Sequence, residues 1–349
     1  MAEQFDYDRI LASLLVPEVL SALADVHEHR GRERLYVTMA SGVLDSLVES
    51  ARIQSTGASN RIENISISEK RLRELVTTVA KPHTRDEREI VGYRYVLDEI
   101  HALHDDIPVM PNVILQLHRA LYRFTEAGFA GRWKDSDNVI AEQGESGEMV
   151  VRFRPTSAVA TPHAMERICD EYARQIGTGR HDPLLVSLVF AFDFVSIHPF
   201  NDGNGRMSRL LILLLLYCNG YLVGKYVSIE REIERTRQTY YEALAASSVG
   251  WKDATSDYTP FVTYMLGVLT ACYGELDERV ARLSSGKSSE DVLRAYFDGL
   301  MGPATKREIM DANPSMSQRT IERILQRLQA DGTIEKVGAA RATMYRVRR

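Results

Sequence analysis

Cysteine is scarce in this chain: there are three, Cys169, Cys218 and Cys272, in 349 residues. Their number is odd, their spacing is wide and no CxxC occurs, so neither a disulfide framework nor a cysteine zinc site is expected. Thiols in or near the core, in a reducing compartment, are the expectation instead. Long apolar runs are also lacking. The most apolar stretch, Leu210 to Leu216 extended by Tyr217 and Cys218, falls far short of the ~20 residues a membrane span requires. The opening Met-Ala-Glu-Gln-Phe-Asp-Tyr-Asp has no basic stretch leading into an apolar one, so no secretory signal is expected. These absences point to a cytoplasmic protein with no membrane partner. There is no overall basic excess either. The formal net charge of −5 argues against a chain-wide nucleic-acid binder and leaves room for one basic segment. No internal repeat is visible, which excludes a solenoid.

What is present is a core-forming composition. Hydrophobic residues make up 44% of the chain, enough to exclude disorder as the default, and the length suggests two or three domains. Periodicity is mainly helical. Leu11–Val26 and Met39–Ile53 read as amphipathic helices, followed by a polar break at 54–59 and a short segment around Arg61–Glu63. Further helices are expected over 69–79, 87–103 and 113–122. Residues 139–154 differ. Two short β-prone runs flank Gln143-Gly-Glu-Ser-Gly147, the pattern of a hairpin. Pro183–Ile197 and Gly205–Cys218 are apolar on most faces and belong at the centre of a bundle. The expected organisation is an N-terminal helical region (1–110), a core (111–283), a linker (284–289) and a tail domain (290–349). The fold class is mainly α: a helical bundle with a small β-hairpin, plus a C-terminal winged helix-turn-helix built from three helices and two short strands.

The turn between the two central helices carries the chemistry. It reads His198-Pro-Phe-Asn-Asp-Gly-Asn-Gly-Arg-Met-Ser-Arg-Leu210. Gly203, Asn204 and Gly205 form a turn leading directly into a helix, so backbone N–H groups and the helix start converge into an anion nest suited to phosphate. Arg206 and Arg209 lie three apart at the helix opening and can clamp further phosphate oxygens. Asp202 at the rim can hold a magnesium ion, which usually binds through one or two carboxylates plus phosphates. His198, at the end of the preceding helix, can take a proton from an attacking hydroxyl.

On these residues the chain resembles the Fic-domain family. His198-Pro-Phe200, Asp202-Gly-Asn-Gly-Arg206 and Arg209 match HxFx(D/E)GNGRxxR at every defined position. The resemblance extends over about residues 59–270. Asp86-Glu87, Gly92-Tyr93, Leu97 and Ile100 look like the early helix of that domain. Ala130-Gly-Arg-Trp133 and the hairpin ending Phe153-Arg-Pro155 look like its target-docking flap, and Tyr240-Tyr241 like the aromatic pair bordering the nucleotide. The resemblance implies a Fic-type bundle that transfers AMP from ATP, with Mg²⁺, to a Ser, Thr or Tyr hydroxyl of a protein, itself included. His198 is then the base and Asp202 the metal ligand. Gly203, Asn204, Gly205 and Arg206 hold phosphates, and Arg209 the γ-phosphate. Val150 and Val151 of the flap align the target as an added strand over 139–154. The sequence departs from the family at Leu244-Ala-Ala-Ser-Ser248, where Asn or Arg is usual, and at Arg154-Pro155-Thr156 in place of a double proline.

Upstream, Ser59-Asn-Arg-Ile-Glu63-Asn64 is similar to the family's inhibitory motif. The resemblance sets Glu63 against Arg209, at the nucleotide site. Ser59 and Glu63, four apart, share a helix face, and Asn64 suits a left-handed helix end. From Thr305 to Arg349 there are ten Lys/Arg and five Asp/Glu, a net +5, so residues 290–349 make DNA a candidate partner through Gln318, Arg319, Arg323 and Gln326. A homodimer is a further candidate assembly. Two readings compete with a restrained AMP transferase: a nucleotide-sensing DNA-binding regulator with little turnover, and a Fic enzyme that also removes AMP.

Overall fold

The computed structural model describes residues 5–39, 41–78, 80–143, 149–284, 289–300, 302–313, 316–338 and 343–348. The chain forms two compact units, residues 1–34 with 51–274, and residues 35–50 with 275–349. This division differs from the expected linear one. Helices α2 (Pro17–Met39), α3 (Ser41–Ile62) and α12 (Thr259–Ser284) each contribute residues to both units.

The first unit also contains α1 (Tyr7–Ser13), α4 (Glu69–Thr77), α5 (Arg85–Leu103) and α6 (Pro111–Leu121), then the hairpin β1 (Ile140–Gln143) and β2 (Met149–Phe153). It continues through α7 (Thr161–Thr178), α8 (Pro183–Ile197), α9 (Asn204–Cys218), α10 (Ile229–Arg235) and α11 (Arg237–Ser248). The hairpin is antiparallel, with a register shift between Ile140 and Ala141. Its expected loop at 143–147 falls mostly outside the described residues, as does the centre of the expected linker at 284–289.

Helix α8 is the core of this unit. Asp182 caps it by accepting from the Leu184 N–H at 2.9 Å, and Pro183 opens it, where its missing N–H costs nothing. Every side chain from Leu184 to Phe194 is buried. A helix apolar all round must be surrounded, and α1, α7 and α9 pack against it. One charge lies within it. Asp193 is fully buried and accepts from Trp251 Nε1 at 2.7 Å and the Tyr258 hydroxyl at 2.6 Å. Helix α9 is likewise buried from Met207 to Tyr217. At ~1.5–3 kcal/mol for each large aliphatic side chain removed from water, burial holds these two helices firmly.

Two expected elements differ. The expected helix over 11–26 is broken, α1 ending at Ser13 and α2 opening at Pro17, because a proline is accommodated at a helix start and not inside one. The expected polar break at 54–59 is helical and belongs to α3. Ser55, Thr56, Ser59 and Asn60 are all buried, and both serines meet polar partners: Ser55 Oγ lies 2.9 Å from Ser228 Oγ, and Ser59 Oγ accepts from Arg209 Nε at 2.8 Å. A polar run marks a loop only when it faces water.

The second unit includes α13 (Ser289–Asp298), β3 (Ala304–Thr305), α14 (Lys306–Ala312), α15 (Gln318–Ala330), β4 (Ile334–Val337) and β5 (Met344–Val347). The strands form an antiparallel sheet in the order β3-β5-β4. The two-residue β3 is absent from the sequence-based expectation. Leu293, Phe297, Ile309, Ile321, Leu325 and Leu328 lie in its core. Helix α15 is capped by Ser317 and buries one stripe, leaving Gln318, Arg319, Arg323 and Gln326 exposed. Among the described residues, no single helix is long and apolar enough to cross a membrane.

Candidate active site

A cleft of about 630 Å³ opens in the first unit, within the range of small-molecule sites. The turn between α8 and α9 forms its polar part. His198 ends α8 in the left-handed conformation, with φ 52°, and Gly203 precedes α9 with φ 81°. Between them the loop is closed by Asn204. Its Oδ1 accepts from the Phe200 N–H and its Nδ2 donates to the Phe200 carbonyl, both at 2.8 Å. The Phe200 ring is buried and stacks on His118 with centroids 3.7 Å apart, and on Trp133 at 5.4 Å.

His118 supports the loop from behind. The Gly131 N–H donates to its Nδ1 at 3.0 Å, so the ring proton is on Nε2, which lies 3.1 Å from the Asp202 carbonyl and donates to it. Burial pushes this imidazole down to about 4 and keeps it neutral. The Asp202 carboxylate is held on one side by the Gly203 N–H at 2.6 Å and is otherwise exposed at the cleft rim. His198 also lines the cleft. Burial pushes its imidazole down to about 4, assisted by the Lys134 ammonium and opposed by Glu63 and Asp202. It is therefore neutral and able to accept a proton at physiological pH.

The two arginines each have a carboxylate of their own. Arg209 is 2% exposed. Its Nε donates to Ser59 Oγ, and its Nη2 donates to the Ser59 carbonyl and to Glu63 Oε1, all at 2.8 Å. Asn64, with φ 62°, ends α3, and the Ile65 N–H returns to the Asn60 carbonyl at 3.0 Å. That turn brings Glu63 over the start of α9. A Cβ placed on Gly205 would lie 2.1 Å from Glu63 Oε1. The carboxylate thus sits on the nest of N–H groups and positive helix end that favours an anion. Arg206 differs from its expected role. It is 2% exposed and does not line the cleft. Its Nη1 lies 2.8 Å from Glu89 Oε2, and its Nη2 donates to the Tyr122 hydroxyl at 2.8 Å. A buried guanidinium requires an anion, and here Glu89 supplies it.

Tyr240 and Tyr241 border the cleft with ring centroids 5.4 Å apart. Leu244, Ala245, Ala246 and Val249 form an apolar wall beside them. Among the described side chains the hairpin reaches the cleft through Ile140, Arg152 and Phe153, and the expected Val151 is not among them. Val151 is 44% exposed and lies two residues nearer the hairpin tip, and the Val150 side chain is outside the described residues. Sequence reasoning missed Glu89, His118, Tyr122 and Lys134. Each is an ordinary residue on a helix or in a loop, and only its distant partner gives it a role. No group of three metal-ligating side chains occurs among the described residues.

Residues 108–216 match the model of the Fic/DOC family. The chain is 27% identical over 188 residues to the protein adenylyltransferase fic-1 of Caenorhabditis elegans, covering 52% of this chain and 32% of that one. It is 27% identical over 219 residues to a probable protein adenylyltransferase of Aquifex aeolicus, covering 55% and 66%. A Fic family protein from Desulfovibrio desulfuricans has the same fold, with a TM-score of 0.62 at 24% identity over 96% of this chain and 97% of that one. The match to the Fic/DOC family lies within residues 108–216. The chain spans about a third of the nematode relative's length and just under two thirds of the Aquifex protein's.

Proposed function

We propose that this protein transfers AMP from ATP to a Ser, Thr or Tyr hydroxyl of a protein, itself included, and that Glu63 restrains the reaction. The observation that carries this reading is the cleft itself. An anion nest, a buried arginine and a neutral imidazole share one cavity with an apolar wall suited to a base. The hydroxyl oxygen attacks the α-phosphorus, the α–β bridging bond breaks, pyrophosphate leaves and His198 takes the hydroxyl proton. Atoms and charge balance with ATP and the target alone. Positioning and charge stabilisation supply most of the rate in such transfers. The exposed Asp202 carboxylate suits Mg²⁺ arriving with the triphosphate, and the ion would neutralise phosphate charge when bound. Asn204 and Gly205 offer their N–H groups to the phosphates, Gly203 does so once Asp202 turns to the metal, and Arg209 offers its guanidinium to the γ-phosphate. Arg206 assists only if Glu89 gives way. The target segment adds to the hairpin as a strand.

Restraint follows from competition. Glu63 and the γ-phosphate seek the same guanidinium and the same helix end. With the carboxylate seated, the triphosphate is displaced from in-line geometry. The test is self-labelling by ATP carrying radioactive α-phosphate. Glu63→Gly is expected to raise labelling by one or more orders of magnitude, the scale of restoring a misplaced reactant. Adding Arg209→Ala should reverse that gain. Adding His198→Ala should lower the rate ~10²–10⁴-fold while ATP binding persists. Equal labelling of wild type and Glu63→Gly returns Glu63 to a structural role, and undiminished labelling without His198 removes the mechanism.

A further inference from the structure

The residue after Trp133 makes contacts that the reaction scheme does not use. Lys134 is 3% exposed. Its backbone N–H donates to the Pro199 carbonyl at 2.8 Å, and its Nζ donates to the Ile197 carbonyl at 3.1 Å. Those two carbonyls belong to the residues before and after His198: the Ile197 carbonyl lies in the peptide that enters His198, the Pro199 carbonyl one peptide beyond the bond that leaves it. Nζ also donates to Asn138 Oδ1 at 3.0 Å, and Asn138 Nδ2 donates onward to the Phe200 carbonyl at 3.3 Å. Among the described residues no carboxylate pairs with the ammonium. Burial pushes it down to about 8.

A buried cation without a carboxylate partner is costly, and packing alone does not account for one here. Two features of its location do. His198 has φ 52°, a conformation that a non-glycine residue holds only when its surroundings impose it. Holding the peptide before it and the far side of the proline after it, whose ring fixes φ, limits the direction of its Cα–Cβ bond. Ile197 is also the last residue of α8, where a positive charge meets the negative helix end. A compact ammonium with three donors on a long arm suits that position better than a planar fork.

We infer that Lys134 is a positioning residue for the general base, clamping the chain on both sides of His198 and holding a fixed positive charge behind its ring. The inference rests on the reading of His198 as the base. Charged groups around the imidazole are Lys134, Glu63 and Asp202, with Arg152 and Arg209 lining the same cleft. The two carboxylates favour the protonated ring, and Lys134 offsets them.

The full chain tests this in two ways. The first is an NMR titration of the His198 ring, assigned by its loss in His198→Ala. Lys134→Met should raise the ring's midpoint by roughly one pH unit or more, and Lys134→Arg should restore it. The second is kinetic, in the Glu63→Gly background. Lys134→Met should lower kcat ~10–100-fold with KM for ATP within about twofold. If Lys134→Met does not fold, Asn138→Ala removes one Nζ partner and should produce the same pattern at smaller amplitude. An unmoved ring midpoint, whether kcat holds or falls together with ATP binding, would overturn the inference. If Glu63→Gly labels nothing, the AMP-transfer reading fails, and the ring titration still decides the role of Lys134.

Discussion

Glu33 holds a proton where most glutamates have lost theirs. It is 2% exposed, its Oε2 accepts from the Leu222 N–H and the Tyr273 hydroxyl, both at 3.1 Å, and its Oε1 has no partner. Burial raises its carboxyl from 4.5 to about 7. A raised value in the folded state contributes stability that is complete below about 4.5 and is lost as pH rises through about 7. Glu33→Gln is uncharged and should gain on the wild type over that window, by on the order of 3 kcal/mol. Chemical unfolding of both proteins at pH 5 and pH 8 checks this, and a constant difference between them would remove the buried-acid account. His101 and His118 carry the opposite sign. Burial lowers them to about 3 and about 4, so their contribution is present above about 6.5 and lost as pH falls toward those values.

At the scale of elements, the end of α3 matters most. Arg61 binds Glu234 of α10 through Nε and Nη2, at 2.6 and 2.8 Å. This half-buried bidentate pair holds the turn that carries Glu63. Arg61→Ala should loosen that turn and raise self-labelling by up to about tenfold, the factor that 1.4 kcal/mol of anchoring sets. The gain should stay below that of Glu63→Gly, because the carboxylate remains. Labelling of the two variants side by side decides it, and no gain from Arg61→Ala means the helix end is held by other contacts. These elements also mark how far the sequence was readable. The ends of α8 and α9 were legible because proline, glycine and an unbroken apolar run each impose a backbone conformation. Gly203 was legible for the same reason. The helix through 54–59 was not, because its serines face polar partners brought from α9 and the start of α10. Nor was the Glu89–Arg206 pair, since nothing in a local stretch says which distant carboxylate a buried guanidinium will meet. Local chemistry was readable, and partnership across the fold was not.

At the scale of the whole molecule, the second unit carries its own surface chemistry. Gln318, Arg319 and Arg323 lie on the exposed side of α15, in a tail with ten basic and five acidic residues. This supports a second reading, in which the tail is a winged helix that holds duplex DNA while the Fic domain acts. Binding of the full chain to a duplex should weaken steeply with salt, and Arg319→Ala with Arg323→Ala should flatten that slope by about two charges. A salt-independent affinity would remove the electrostatic case.

Glu63 lies just past the end of α3 with its side chain 34% exposed, so its one buried partner is Arg209, whose anion the γ-phosphate can replace when ATP is bound. On the proposed reading, nearly any replacement releases the enzyme and leaves the fold intact, whereas restraint needs one particular carboxylate at one particular reach. Random mutation therefore leads far more often toward unrestrained transfer than back. Folding stability protects this residue only through the anion it gives Arg209. On that reading, a lineage that keeps it is one in which unrestrained transfer is selected against.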